Sequence, residues 1–340
     1  MSKVFLGMSG GVDSAVSAYL LREAGHEVVG AYMKNWSKNL PGMKCPWAED
    51  LADAKRTAVK LGLDFRVFDF ENEYKQKVVD YMIAEYKKGN TPNPDIMCNQ
   101  EIKFKLFAET AFEQGAELIA TGHYACTDGK NLLRAVDDNK DQTYFLYRIS
   151  ADVIPKILFP VGEMKKPDVK ALAEKVGLSV ARKPESMGVC FVGEANIKDF
   201  LGEFVETKPG EIREIETEKV LGYHDGAIFY TLGQRHGLGL KTGLPYYVVK
   251  KDMGKNIVYV SQNLNSLSLW KKEIELKDII IRGEHNLTKL QARIRHRAPL
   301  ISAKLEGNKL IFADEQKSLT PGQSVVLYDG DICIGGGIIA

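Results

Sequence analysis

The chain has 340 residues, enough for two or three domains of ordinary size, and its 44% hydrophobic and 27% charged residues are those of a globular protein. A formal net charge of +1 excludes a chain-wide polycation, so any nucleic-acid surface must be a local patch. No apolar run approaches the roughly 20 residues of a membrane-spanning helix, and "MSKVFLGMSG" enters a strand without a signal-peptide pattern, so a cytoplasmic protein with no membrane partner is expected.

Read from the N-terminus, "KVFLGMS" is an apolar strand and "SAVSAYLLREAG" a helix stopped at Gly25. "HEVVGAYM" is a second strand. "AEDLADAKRTAVKLG" spaces Leu51, Ala54, Ala58 and Leu61 close to a helical period and ends at Gly62. "DFRVFDF" is a third strand, "EYKQKVVDYMIAEYKKG" and "EIKFKLFAETAFEQG" are helices, and "AELIATGHY" is another strand. Between those helices "GNTPNPDIMCNQ", with its prolines and asparagines, reads as a loop. Strands alternating with helices predict an α/β fold with a parallel sheet covered by helices. Such sheets bind ligands at the carboxyl ends of their strands, where the glycine-rich turn, "AYMKN" and "ATGHY" fall. "KKPDVKALAEKVG" is a helix with Pro167 near its start, followed by the irregular "ARKPESMGVCFVGE". From about Pro209 the runs shorten, alternate and are broken by Gly and Asp, which predicts small β-rich domains, the last a β-barrel. The expected division is 1–198, 199–270 and 271–340.

The turn "GMSGGVDS" carries the strongest chemical signal. Gly10 and Gly11 let backbone approach a ligand, Ser9 and Ser14 add hydroxyls, and the following helix offers free N–H groups with positive potential. Asp13 is placed to cap that helix or to hold Mg2+ through oxygen. The turn lacks the lysine of the common P-loop pattern, which serves terminal-phosphate chemistry. A cradle of amides and hydroxyls suits instead the departure of the β- and γ-phosphates as one unit, with cleavage between α and β. Ser-Gly-Gly-x-Asp-Ser after a first strand resembles the PP-loop ATP pyrophosphatases, of adenine-nucleotide α-hydrolase-like fold.

The cysteines number five, with no Cys-x-x-Cys pair, so neither a secreted disulfide framework nor a zinc site is expected. Cys126 and Cys333 lie in strand-like alternation and read as small buried hydrophobes, while Cys45 is open to either reading. Cys98 sits just ahead of the helix expected from about Glu101, a position that favours a thiolate, with Asp95 on the same loop. Cys190 lies between glycines that leave access to it. Taken alone, each is as consistent with packing as with chemistry. His123 ends a strand beside the nucleotide crevice, where it either contacts a ligand or hydrogen-bonds the loop. "QARIRHR" puts Arg293, Arg295 and Arg297 on one face of a strand, either solvated or as a phosphate-binding stripe.

In order along the chain, "GMSGGVDSAV", "TPNPDIMCNQEIKF", "TGHYA", "KDQTYFL", "GVCFVGE", "LGQRHGLGL" and "PGQSVVLYDGD" resemble the tRNA-specific 2-thiouridylases over essentially the full length. Gln100, Thr143 and His236 stand where that family is expected to have arginine, serine and lysine. The resemblance implies ATP-dependent thiolation of the wobble uridine (position 34) of tRNAs for Lys, Glu and Gln, through an adenylated intermediate. It implies that Gly7, Met8, Ser9, Gly10, Gly11, Val12, Asp13 and Ser14 bind ATP phosphates, with Met33 and Gly122 at the adenosine. Asn93, Pro94 and Asp95 would meet the target base, Asp95 as general acid or base. Cys190 would carry a persulfide and Cys98 would be its partner. His123, Lys140, Asp141, Gln142, His296, Arg297 and Gln323 would touch tRNA. Mg2+ and a sulfur-donor protein, such as a cysteine desulfurase or relay carrier, complete the expectation. The competing reading is a PP-loop ligase or amidotransferase that adenylates a small carbonyl substrate.

Overall fold

The computed structural model describes residues 1–39, 45–184, 197–240, 243–263 and 269–340. Cys190 lies outside the described residues.

The N-terminal part is built on β1 (Lys3–Gly7), β2 (Glu27–Lys34), β3 (Asp64–Asp69) and β4 (Leu118–Thr121). A hairpin, β5 (Cys126–Thr127) and β6 (Leu132–Leu133), and a short β7 (Ile157–Leu158) follow. The sheet order is β3-β2-β1-β4-β7 with every pairing parallel. β1 therefore sits at the point where the winding reverses, and the crevice at its carboxyl end, beside β4, is the natural ligand site. Both faces are buried: Phe5 joins one hydrophobic cluster, and Val4 and Leu6 join the other, following the period of two.

One face is covered by α1 (Val12–Glu23) and α2 (Trp47–Leu61), which contribute Val12, Ala15, Val16, Ala54 and Leu61 to its cluster. The short α3 (Glu71–Tyr74) runs through a π-helical segment, Lys75–Val79, into α4 (Asp80–Lys87). On the opposite face α5 (Pro94–Cys98), a π-helical segment Asn99–Leu106 and α6 (Phe107–Glu113) form one continuous helical run. The reading of "GNTPNPDIMCNQ" as a loop up to Glu101 is thus corrected. Asn93 Oδ1 accepts from the backbone N of Asp95 (3.2 Å) and Ile96 (3.3 Å), so the helix starts at Pro94, and Cys98 is inside it. After the one-turn α7 (Thr143–Leu146), α8 (Lys166–Val176) packs on α1, and α9 (Ile197–Gly202) opens the next segment.

β8 (Gly210–Glu214), β9 (Val220–His224), β10 (Tyr247–Asp252) and β11 (Ile257–Ser261) form a small sheet around Ile212, Val248, Val258 and Val260. The last part comprises β12 (Trp270–Ile281), β13 (Leu290–Arg293), β14 (Ile301–Glu306), β15 (Lys309–Lys317), β16 (Ser324–Asp329) and β17 (Ile332–Ile339). In the order β12-β15-β14-β13-β16-β17, closed by β12 against β17, they make a six-stranded antiparallel barrel. Closure needs glycine: a Cβ on Gly335, whose φ is +149°, would stand 1.9 Å from the carbonyl oxygen of Ile280. The β5–β6 hairpin extends the barrel sheet by pairing Leu133 with Ile332, so the first and last parts share a sheet.

Candidate active site

β1 delivers Gly7, Met8 and Ser9 to the mouth of the crevice, and α1 begins three residues later with Gly11 as its N-cap. Gly10 has φ +77°, and a Cβ there would stand 2.3 Å from the carbonyl oxygen of Asp50, so the turn admits only glycine. The hydroxyls of Ser9 and Ser14 are 3.3 Å apart, Ser14 Oγ donates to Gly11 O (3.0 Å), and Ser9 N donates to Ser14 Oγ (3.2 Å). No side chain caps α1, and its first-turn residues Asp13 and Ser14 line the crevice. Gly122, at the end of β4, packs against this turn so closely that a Cβ would lie 2.7 Å from Ser14 N.

Asp13 neither caps the helix nor stands open. Its carboxylate accepts from Lys166 Nζ (2.6 and 2.8 Å) and from Tyr124 Oη (2.8 Å). Lys183 braces the same turn from the other side, reaching Gly10 O (3.3 Å), Asp50 (2.7 Å) and Asp53 (2.6 Å). Sequence reading missed Tyr124, Lys166 and Lys183. Their partners lie 111 to 173 residues away, so no local pattern marks them.

The turn opens into a cavity of about 320 Å³. Gly7, Met8, Ser9, Asp13 and Ser14 form its floor, and Tyr32, Met33, Trp36, Cys45 and Trp47 its apolar side. Thr121, Gly122, His123, Gln142 and Lys103 form the far wall. Met33, near the end of β2, and Gly122, just after β4, both line the cavity from strands that flank β1. Val12, Gly10 and Gly11 shape the turn without lining the cavity. Cys45 is buried in this wall, and burial raises its thiol pKa, which keeps it protonated. His123 Nδ1 is 2.8 Å from Thr121 Oγ1 and its Nε2 is 3.4 Å from Lys103 Nζ. Burial, and then the neighbouring Lys103 charge, hold its pKa well below the ordinary range, so the ring is neutral.

The residues expected at the target base and Cys98 follow on one helical run. Asn93 caps α5, Pro94 and Asp95 are its first residues, and Cys98, 1% exposed, is its last. The helix N-terminus expected to favour the Cys98 thiolate therefore lies a turn earlier, at Pro94. Lys103, on the π-helical continuation, reaches the cavity wall.

The expected tRNA-contact residues divide. Gln142 Oε1 accepts from Tyr124 N (2.9 Å) at the cavity wall. Asp141 is buried. It pairs with Arg293 from β13 (2.6 Å) and accepts from Thr143 Oγ1 (2.9 Å). Lys140 lies beside it on a partly exposed turn. The arginine stripe does not form: β13 stops at Arg293, which is buried, and the chain then turns through Arg297 at φ +62°. Arg295 donates to Ser318 O (2.7 Å), and Arg297 is exposed. His296 packs on Phe145 at 4.6 Å between ring centres; burial, with Arg297 next, pulls its pKa down to about 4. Gln323 Nε2 donates to Thr91 O (2.6 Å), tying the barrel to the segment that leads into Asn93.

Among the described residues no group of three His, Cys, Asp or Glu side chains is arranged to hold a metal. Asp13 and Asp50 both line the cavity, but each is already paired, Asp13 with Lys166 and Tyr124 and Asp50 with Lys183.

Comparison with known proteins gives a consistent assignment along the chain. The family model described as tRNA methyl transferase HUP domain matches residues 2–194. Those described as tRNA methyl transferase PRC-barrel domain and Aminomethyltransferase beta-barrel domain match 198–262 and 270–339. A Listeria monocytogenes (serotype 4b, strain F2365) protein named tRNA-specific 2-thiouridylase MnmA is 45% identical over 350 residues, covering 99% of this chain and 94% of its own. The Bacillus subtilis (strain 168) protein of the same name is 42% identical over 352 residues, covering 99% and 95%. Among solved structures, a 4-thiouridine synthetase–RNA complex with bound ATP is similar at 18% identity and a TM-score of 0.40, covering 59% of this chain and 50% of that one.

Proposed function

The chain belongs to the tRNA-specific 2-thiouridylase family, and from that membership we propose that it is an ATP-using enzyme that replaces the C2 oxygen of the wobble uridine in tRNAs for Lys, Glu and Gln with sulfur. The observation that carries the mechanism is the helical run from Pro94 to Leu106. Asp95 and Cys98 lie at its start, and Lys103 further along it lines the wall of the cavity whose floor is the glycine-rich turn. In this reading the general base for uridine activation and the partner thiol for sulfur transfer share one helical run with a residue of the cavity wall.

In this reading the turn and the open N-terminus of α1 hold the phosphates of ATP, while Met33 and Gly122 face the adenosine. The uridine O2 attacks the α-phosphorus, forming an O–P bond. The α–β bridging bond breaks and pyrophosphate leaves with its electron pair. The N3 proton of the base passes to Asp95. Asp13 and Asp50, which line the cavity, are the carboxylates that would help hold Mg2+ arriving with the phosphates, and such an ion would neutralise departing charge.

A donor protein loads sulfur on Cys190 as a persulfide. Its terminal sulfur attacks C2, forming a C–S bond and expelling AMP. The Cys98 thiolate then attacks the Cys190 sulfur, forming a disulfide and releasing the thiouridine; an external thiol restores both cysteines. In the alternative route Cys98 first frees hydrosulfide from the persulfide, and that ion attacks C2. Cys98 is 1% exposed, so either route requires its cover to open. A disulfide also brings the two Cα atoms to about 4.4–6.8 Å.

Incubation of the protein with tRNA, ATP and a radioactive sulfur donor tests this. Wild type should release pyrophosphate and AMP and form 2-thiouridine. Cys98→Ser should carry label on the Cys190 peptide yet make no thiouridine, and Cys190→Ser should carry none. Full thiolation by both serine variants would end the persulfide mechanism. Activation of a small carbonyl compound without tRNA would favour the ligase reading.

A further inference from the structure

The glycine-rich turn has no lysine of its own, yet a displacement at the α-phosphorus gathers negative charge that a water-poor crevice must offset. Three lysines stand near the turn. Lys166 holds Asp13, and Lys183 holds Gly10 O, Asp50 and Asp53; both brace the turn and neither lines the cavity. Lys103 is the only lysine or arginine among the described residues lining it. It enters from the helical run that also carries Asp95 and Cys98, and shares the cavity lining with Ser9 and Ser14 of the turn.

The neighbours of Lys103 explain how it is aimed. A lysine ammonium only donates, so the His123 Nε2 atom 3.4 Å away accepts from it, and the proton of the neutral ring sits on Nδ1, which donates to Thr121 Oγ1 at 2.8 Å. Phe104, 2% exposed, packs at 5.7 Å from the imidazole and fixes its plane. Thr121 and His123 flank Gly122 at the end of β4, so the sheet itself sets where Lys103 points. The low basicity of His123 keeps the ring an acceptor.

We propose that Lys103 is a catalytic cation of the adenylation step, meeting the charge that builds on the α-phosphoryl oxygens as the α–β bridge breaks, and that His123 is the residue that positions it. This rests on the adenylation reading above and deepens it: His123 serves the phosphate chemistry as well as any contact with tRNA. The bond changes are those already given; Lys103 stays protonated throughout and moves no proton.

The test measures ATP affinity by equilibrium dialysis and tRNA-dependent pyrophosphate release by rapid quench, on full-length protein with unmodified tRNA. Lys103→Gln should bind ATP within a few-fold of wild type and release pyrophosphate about 10²–10³-fold more slowly. Lys103→Arg should recover at least part of that loss. His123→Leu should lower kcat with little change in KM, and His123→Gln, whose amide oxygen also accepts, should recover part of that loss. Wild-type release by Lys103→Gln, or a loss confined to ATP affinity, would overturn the assignment. Equal losses in His123→Gln and His123→Leu would overturn the positioning role. No pyrophosphate from the wild-type protein would overturn the adenylation reading itself, and this step with it.

Discussion

Asp13 shows how one residue can be legible in type and illegible in role. A carboxylate next to two glycines at a helix start suggests a cap or a metal ligand, but its partner is Lys166, whose side chain is 8% exposed against 30% for Asp13. Removing the carboxylate takes away the counter-charge of a buried ammonium. Asp13→Asn is therefore expected to cost about 1–3 kcal/mol in urea unfolding, discounted from the fully buried case because Asp13 is partly solvated, and to abolish tRNA-dependent pyrophosphate release. Wild-type release by the variant would remove Asp13 from the mechanism. His296 makes a second prediction at this scale. Its folded pKa lies near 4, below the ordinary 6.5. As pH falls from 6.5 towards 4 the unfolded chain takes up a proton that the folded chain refuses, so this burial favours folding fully above pH 6.5 and progressively less below it. His296→Gln should flatten part of the stability loss across that window in a pH series of urea melts; an unchanged profile would show that His296 titrates freely.

The helical run from Pro94 is the element on which the proposed mechanism depends, and its start was readable in principle. Asn-Pro-Asp is an N-cap, a proline at the first helical position and an acidic first turn, which together open a helix. Reading the prolines only as breakers displaces the helix to Glu101 and leaves Cys98 outside it. The alternation of β1 to β4 was legible because both periods are strong there, while the π-helical stretch Asn99–Leu106 has no sequence signature beyond ordinary helix formers. Its consequence is testable through the cap. Asn93→Ala should destabilise by about 1 kcal/mol, while thiouridine formation falls by more than that loss of folded protein explains, because Asp95 and Cys98 lose their fixed frame. Asn93→Ser, which can also cap, should recover both; activity that merely tracks the folded fraction would reduce Asn93 to a structural cap.

At the scale of the whole molecule the barrel is fastened to the nucleotide-binding part by buried and half-buried polar bonds. Arg293 pairs with Asp141, Tyr144 Oη donates to Ser324 O (2.8 Å), and Gln323 holds Thr91. Composition and alternation foretold a barrel but not its docking, because a period of two cannot tell an arginine facing solvent from one turned inward onto a distant carboxylate. Arg293 and Arg297 therefore separate two roles that "RIRHR" runs together. Arg293→Met leaves Asp141, 0% exposed, without its main counter-ion and should cost about 3–5 kcal/mol. On protein that remains folded it should leave the salt dependence of tRNA affinity unchanged, because a side chain buried against Asp141 meets no phosphate. Arg297 is exposed at the turn beyond β13, beside His296. If it meets a phosphate, Arg297→Ala should lower the slope of log affinity against log salt by about one unit, with no loss of ATP binding. A flat response at Arg297 would make that turn an ordinary solvated surface. A reduced slope at Arg293 would mean that tRNA binding opens the Asp141 pair, so that docking of the barrel is itself part of recognition.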